Sequence, residues 1–473
     1  MFANSLSNAL SNTSCSADAK FTRYEDWLAH AKKLDDRPMA KRWVTDDSSS
    51  LYDHKVIRRR LNELREVRAS EDVGDLLFYM NEGFHGNMAG MGTPGLYQKT
   101  AQGKTKQLIS DYIEEMVGAL EQLASQDLTD QQKVRFFRRS ADCFGRSALM
   151  LSGAGSLGPF HAGVVKTMVA HDTLPNVISG SSAGSMIAAT LGTRPEARTE
   201  EFWDTIPDTI GKPGARPSRG TLRQDDVRDI ISELIPDLTF EEAFEETGLR
   251  INVSVAPTLV NQRSRLLNAV QSPNACIREA VLASCAVPGV FPPVTLAAKT
   301  QSGKRKPYVA SRRWMDGSVT DDLPASRLAR LYAVNHFILS QANPIVLWAM
   351  SDPNANDLFS QLAGLSQSAV REWARTVYPF AMNGVRDLYP LNVFTRFGFG
   401  LLTQDYTADI NLYLENYPID PTRLLSPLST QETRNLILAG ERATWPRLEM
   451  IRNTTAVSRC IDRQLIALTG TFH

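Results

Sequence analysis

Apolar residues between positions 21 and about 139 recur every three or four places, which predicts a run of amphipathic helices. The clearest stripe is Leu108, Ile109, Tyr112, Ile113, Met116, Val117 and Leu120. One face of this kind is read as core rather than as a binding surface. Residues 83–103 interrupt the pattern with Gly-Met-Gly-Thr-Pro-Gly, which is turn chemistry. Ahead of the helices, residues 1–20 are rich in Ser, Asn and Ala and read as a disordered tail.

Near Arg146 the period changes. Ser147-Ala148-Leu149-Met150-Leu151 is a short apolar run stopped at Gly153, the profile of a buried parallel strand. Helical spacing follows from Phe160 to His171. Asn176-Val177-Ile178-Ser179 then gives a second strand, and another apolar helix begins after a glycine turn. Strand, helix, strand, helix implies a parallel sheet with right-handed crossovers. Thr239 and Glu242 form a capping box; Ile251, Val253 and Val255 alternate as a strand, and residues 334–340 read as a late one. From about Pro344 the chain reads as helical again, with Ser429 and Glu432 opening a helix toward Trp445-Pro446. The expected organisation is a tail (1–20), a helical N-terminal domain (21–144), an α/β domain (145–345) and a helical C-terminal extension (346–473).

Composition narrows the partners. With 42% apolar and 22% charged residues among 473, the chain has the make-up of a soluble globular protein. Lys and Arg balance Asp and Glu at 52 each, so nothing points to a nucleic-acid or polyanion partner. The five cysteines (Cys15, Cys143, Cys276, Cys285, Cys460) are scattered, odd in number and without C-x-x-C spacing. They read as free thiols in a reducing compartment, with no metal site. The N-terminus lacks the basic start and apolar stretch of a signal peptide, and no stretch reaches the ~20 apolar residues of a membrane span. An intracellular protein with peripheral membrane contact is expected, and no cofactor.

Three motifs carry chemistry. Gly153-Ala154-Gly155-Ser156-Leu157-Gly158 is a G-x-G-x-x-G between strand and helix. A dinucleotide site would want a carboxylate at the end of the second strand, where this chain has Ser179-Gly180-Ser181-Ser182. The other use of such a loop is an oxyanion hole, in which glycines let amides converge where negative charge develops. Gly180-Ser181-Ser182-Ala183-Gly184 is a G-x-S-x-G elbow, whose sharp turn needs small neighbours and places Ser182 at a helix N-terminus. Asp316-Gly317-Ser318 alone would be a turn.

Together and in this order, the three resemble the patatin-like phospholipases, whose pattern is a glycine oxyanion loop, a G-x-S-x-G elbow one βα unit later and a D-G-A/G further on. Residues 151–166, Ala283-Ser284-Cys285-Ala286-Val287-Pro288-Gly289-Val290-Phe291 and residues 335–344 are similar to the subgroup of fungal and plant storage-lipid triacylglycerol lipases. Tyr52-Asp53 and Gly103-Lys104-Thr105-Lys106 resemble the helical domain that those lipases carry before the catalytic one. The resemblance implies a patatin-like three-layer α/β/α domain with a mainly parallel sheet, flanked by helical regions. It also implies a dyad: Ser182 as nucleophile and Asp316 as proton acceptor, without histidine. Two positions depart from the family pattern. Ser318 stands where Ala or Gly is usual, and Ala154 interrupts a glycine run, which is tolerated at a position with ordinary φ.

A Ser-His-Asp triad is the commoner arrangement for acyl transfer, so the seven histidines matter. His336 is the one that follows Asp316 in the α/β domain, inside an apolar strand-like run that favours a structural role. His161 lies at a helix N-terminus, which disfavours an imidazolium. The function expected is hydrolysis of acylglycerol or phospholipid esters at a membrane or lipid-droplet interface, through an acyl-enzyme. Acyl transfer from the same intermediate and a non-catalytic lipid-binding scaffold are the alternatives. Residues 366–402 interleave aromatic residues with Arg371, Arg375, Arg386 and Arg396, as either a lipid-contacting surface or a helix pair packed on the α/β domain.

Overall fold

The computed structural model describes residues 21–82, 85–211, 220–258, 262, 264–318, 322–343, 408–415 and 423–470. The tail 1–20 and the aromatic and basic stretch 366–402 lie outside the described residues. The described strands are β1 (Arg146–Leu151), β2 (Val177–Gly180), β3 (Arg250–Pro257), β4 (Arg265–Leu267), β5 (Ala297–Lys299), β6 (Arg305–Pro307), β7 (Trp314–Asp316), β8 (Val334–Gln341) and β9 (Ile410–Tyr413). The main sheet runs β4-β3-β2-β1-β8-β9, with β7 also pairing β3, while β5 and β6 form a separate hairpin. Pairings within β3-β2-β1-β8-β9 are parallel; β4 and β7 join β3 antiparallel. The apolar runs at 147–151, 176–179, 250–256 and 334–340 each lie in a strand to within a residue.

Alternate residues of β1 feed two cores. Leu149 and Leu151 pack with Phe160, Val164 and Met168 of the helix Pro159–Ala170 and with Ala188 and Leu191 of the helix Ala183–Thr193. Ala148 and Met150 face Leu328 and Tyr332 of the helix Ala325–Tyr332. Both faces of the sheet are therefore dry and helix-covered, which is why its strands read as continuous apolar runs. Because β2 and β3 lie on one side of β1, and β8 and β9 on the other, strand order reverses beside β1. Such a switch point is where open α/β sheets place their ligands, outside the carboxyl ends of the strands. Residues 153–158 follow β1 and residues 180–184 follow β2, so both glycine motifs open at that end.

The C-terminal region is helical, as expected, and carries one strand besides. Ile410–Tyr413 is a strand, parallel to β8 at Ile338, Leu339, Ser340 and Gln341. Four residues are too few for a period to show, and pairing with β8 supplies what local propensity does not. The helices that follow, Thr430–Thr444 and Leu448–Thr469, are built into the body of the protein. Ser429 and Glu432 close the expected capping box of the first. It crosses Pro159–Ala170 backbone to backbone: a Cβ on Gly163 would lie 1.8 Å from the Ile437 carbonyl oxygen, and one on Gly440 2.0 Å from that of Phe160. Neither neighbour is a flexible side chain that can yield. Gly163→Ala is expected to destabilise the fold by about 3 kcal/mol, seen as a lower denaturant midpoint at unchanged slope. The last helix packs on Gln107–Ser125 and Asp130–Phe144, tying the N-terminal helices to β1.

Candidate active site

Ser182 stands at the joint between β2 and the helix Ala183–Thr193, with φ 50° and ψ −125°. That is a conformation L-residues rarely adopt, and its strain is held by its surroundings. A Cβ on Gly180 would lie 2.4 Å from the Gly184 carbonyl oxygen, and one on Gly184 2.4 Å from that of Leu151, so the flanks have no room for side chains. The Ser182 amide donates to Ser284 Oγ at 2.9 Å. Its hydroxyl makes no capping bond to the helix, which leaves Oγ for other chemistry beside the partial positive charge of the helix start.

Asp316 ends β7, and Val255 of β3 stands opposite it. Its amide donates to the Ala286 carbonyl at 3.0 Å, and the Ser318 amide donates to Asp316 Oδ1 at 2.8 Å. The tight Asp-Gly turn is explained by a Cβ on Gly317 falling 2.3 Å from the Ser254 carbonyl oxygen. Asp316 is 3% exposed and Ser182 7%. Burial pushes the Asp316 carboxyl up to about 6, against smaller lowering effects of hydrogen bonds from Ser318 and the Ser182 hydroxyl. A carboxylate with that affinity for a proton, in contact with a serine hydroxyl, can act as a base near neutral pH.

The glycine loop lies against the elbow, where a Cβ on Gly158 would be 2.8 Å from Ala183 Cβ. Most of its amides are already committed. Gly153 donates to Asp322 Oδ1 at 2.8 Å. Ser156 donates to the Leu424 carbonyl at 2.8 Å, Leu157 to Ala154 at 3.0 Å and Gly158 to Gly155 at 3.2 Å. The amides of Ala154 and Gly155 remain without a partner among the described residues, so the loop's donors narrow from six positions to these two. Ala154 has φ −142°, open to any residue, which accounts for alanine there. Ser318 fits because Gly153 offers no side chain against it: an added Cβ would come 3.1 Å from Ser318 Cβ. Gly155 is different, with φ 54° and a virtual Cβ 2.5 Å from the Leu424 carbonyl oxygen. Gly155→Ala should lower both stability, by about 2 kcal/mol, and any activity that uses the loop, measured by unfolding and by ester turnover of the folded variant.

Neither His161 nor His336 is placed to act as a general base on Ser182. His161 is fully buried, and its Nε2 lies 3.0 Å from the Ser152 carbonyl, which can only accept. Nε2 therefore carries the proton, and Nδ1 accepts from Ser340 Oγ at 2.7 Å. Burial lowers its pKa to about 4, so it is a neutral clasp between β1 and β8. His336 stands opposite Ser147, its Nδ1 3.0 Å from Ser147 Oγ. The site lies at the other end of β8, four residues on, or about 13 Å along the strand.

Three contributors were not legible as site residues: Ser284 under the nucleophile, Asp322 under Gly153, and residues 423–424. The Arg423 and Leu424 carbonyls take the Ser156 hydroxyl and amide. Among the described residues no cluster of His, Cys, Asp or Glu could hold a metal ion. No described helix is long and apolar enough to cross a membrane.

The chain is similar to known proteins along most of its length. Residues 149–329 match the patatin-like phospholipase domain. These residues are a patatin-like domain. Residues 12–142 match a domain of unknown function, DUF3336, ahead of the patatin-like domain. Triacylglycerol lipase 4 of Saccharomyces cerevisiae is 30% identical over 96% of this chain and 53% of its own length. Triacylglycerol lipase SDP1L of Arabidopsis thaliana is 31% identical over 94% and 57%, and triacylglycerol lipase ptl2 of Schizosaccharomyces pombe 28% over 93% and 73%. The chain thus spans little more than half the length of the first two. A solved structure, VipD from Legionella pneumophila, matches 62% of this chain and 66% of its own at 14% identity and a TM-score of 0.30, too distant to add to the fold seen directly.

Proposed function

We propose that this protein is a serine hydrolase of carboxylic-ester lipids that works through a Ser182–Asp316 dyad. Asp316 takes the Ser182 proton as Oγ attacks the ester carbonyl, and the tetrahedral oxyanion is received by the amides of Ala154 and Gly155. Collapse expels the alcohol, which takes the proton from Asp316, and leaves an acyl-enzyme with the carboxylate restored. Water, deprotonated by Asp316, then attacks that ester and frees the fatty acid. The single observation that carries the reading is the buried carboxyl of Asp316, raised to about 6 and in contact with Ser182 at a strained elbow. The lipase names of the relatives support acylglycerols as substrate, with phospholipids as the other class that the family's name covers. Such substrates lie in droplets or bilayers, so the protein would work adsorbed at a lipid interface inside the cell. Free Cys143, Cys276, Cys285 and Cys460 suit a reducing compartment.

A fluorophosphonate probe and product analysis on mixed lipid emulsions test this. Labelling of wild type but not of Ser182→Ala, with fatty acid released, is expected. No labelling, or equal labelling of the variant, overturns it. The rate should climb with pH through a single limb near 6, because the base must be ionised; a rate flat from pH 5 to 8 would speak against Asp316 as base.

A further inference from the structure

Three consecutive residues touch both members of the pair. Ser284, Cys285 and Ala286 form the end of the helix Ile277–Ser284 and the turn that leaves it. Ser284 Oγ accepts the Ser182 amide at 2.9 Å and donates its one proton to the Ser254 carbonyl at 2.8 Å. The Ser254 peptide is the surface against which Gly317 closes. The Cys285 thiol contacts the Ser182 and Ser185 hydroxyls and lies beside Asp316. The Ala286 carbonyl accepts the Asp316 amide at 3.0 Å.

We propose that Ser284 is a positioning residue that sets the nucleophile against its base, with Cys285 and Ala286 completing a rigid bridge between them. The inference rests on the Ser182–Asp316 reading. Helix starts leave amides without intrahelical partners, so the Ser182 N–H must find an acceptor. A water there would satisfy the amide but would not fix the distance from the elbow to β3. The Ser284 hydroxyl does both, because its acceptor and donor roles are spent on the two elements whose separation defines the site. It is wholly buried, so solvent does not compete for either bond. Ser182 is also held at φ 50°, a strained geometry that relaxes unless its amide is pinned. Displacement of reacting groups by about 1 Å costs on the order of 10²-fold in rate.

The experiment compares wild type, Ser284→Ala, Ser284→Cys and Ser182→Ala in the full chain. It reads kcat and KM on a soluble short-chain ester, fluorophosphonate labelling rate, and the pH midpoint. Ser284→Ala should lose about 10²-fold in kcat with KM little changed. Its pH midpoint should move upward, because the Ser182 hydroxyl bond that lowers the Asp316 pKa is weakened. Ser284→Cys, with a weaker donor and acceptor of similar shape, should fall between the two. It carries the test by itself if the alanine variant fails to fold. Wild-type kcat with an unmoved midpoint in a folded Ser284 variant overturns the inference. A wild type inert to both ester and probe overturns the hydrolase reading instead.

Discussion

Replacing Ser182 by alanine or by glycine should abolish ester turnover, by about 10⁴-fold or more, and only the glycine variant should gain stability. The catalytic half follows from there being one nucleophile: without Oγ no acyl-enzyme forms, and what remains is the weak help of the oxyanion amides. The stability half follows from the backbone. Ser182 sits at φ 50° and ψ −125°, and alanine keeps the Cβ that makes this costly, whereas glycine removes it. Relief of one such strained residue is about 1 kcal/mol, the low end of what these conformations cost, partly offset by the greater freedom of the glycine chain when unfolded. Thermal unfolding of the three proteins reads this directly. If both variants unfold at the wild-type temperature, the elbow stores no strain. If either retains turnover, the nucleophile is elsewhere. The pair of substitutions therefore separates two properties that one residue combines.

Legibility in the sequence divided along physical lines. Strands buried on both faces announce themselves as unbroken apolar runs, and β1, β2, β3 and β8 did so. The elbow was legible because its small residues are required by backbone contacts that leave no alternative, as at Gly180 and Gly184. Asp316 was not legible from its own surroundings. Asp-Gly is an ordinary turn, and it acquired meaning only through its order after the other two motifs. Long-range partners were least visible. Leu424 lies far along the chain from Gly155, yet its carbonyl fixes the loop, and a backbone carbonyl has no sequence signature. Ser284 lies in a stretch similar to the lipases, where nothing local requires a serine; the reason is a pair of hydrogen bonds to residues 102 and 30 positions away. Strand β9 was lost for the same cause, since a short edge strand exists by virtue of its neighbour.

The narrowing of the glycine loop to two amides also bears on how the parts depend on each other. Asp322 holds the loop at Gly153 and Leu424 holds it at Ser156, while Ser284 holds the elbow at Ser182. Both restraints come from segments that a nucleophile-centred reading treats as remote. The Asp316 carboxyl, by contrast, is governed chiefly by its burial.

Asp316→Asn is therefore expected to do two opposite things. Turnover should fall by about 10⁴-fold, because the amide cannot accept the Ser182 proton and neither His161 nor His336 is placed to replace it. Stability should rise, but only at the alkaline end. Burial raises the Asp316 carboxyl from 3.8 to about 6, so the native state prefers it protonated. That preference contributes stability in full below the ordinary carboxyl pKa and loses it as pH rises through about 6. Above that, wild type carries a buried charge at a cost of about 3 kcal/mol. Asparagine keeps the size and avoids the charge. Urea unfolding should find the two proteins close in stability at acid pH and Asp316→Asn the more stable at pH 8. A variant equally stable at pH 8 would mean that the carboxylate is already neutralised by its hydrogen bonds, and the pH limb of the wild-type rate would then have to come from another group.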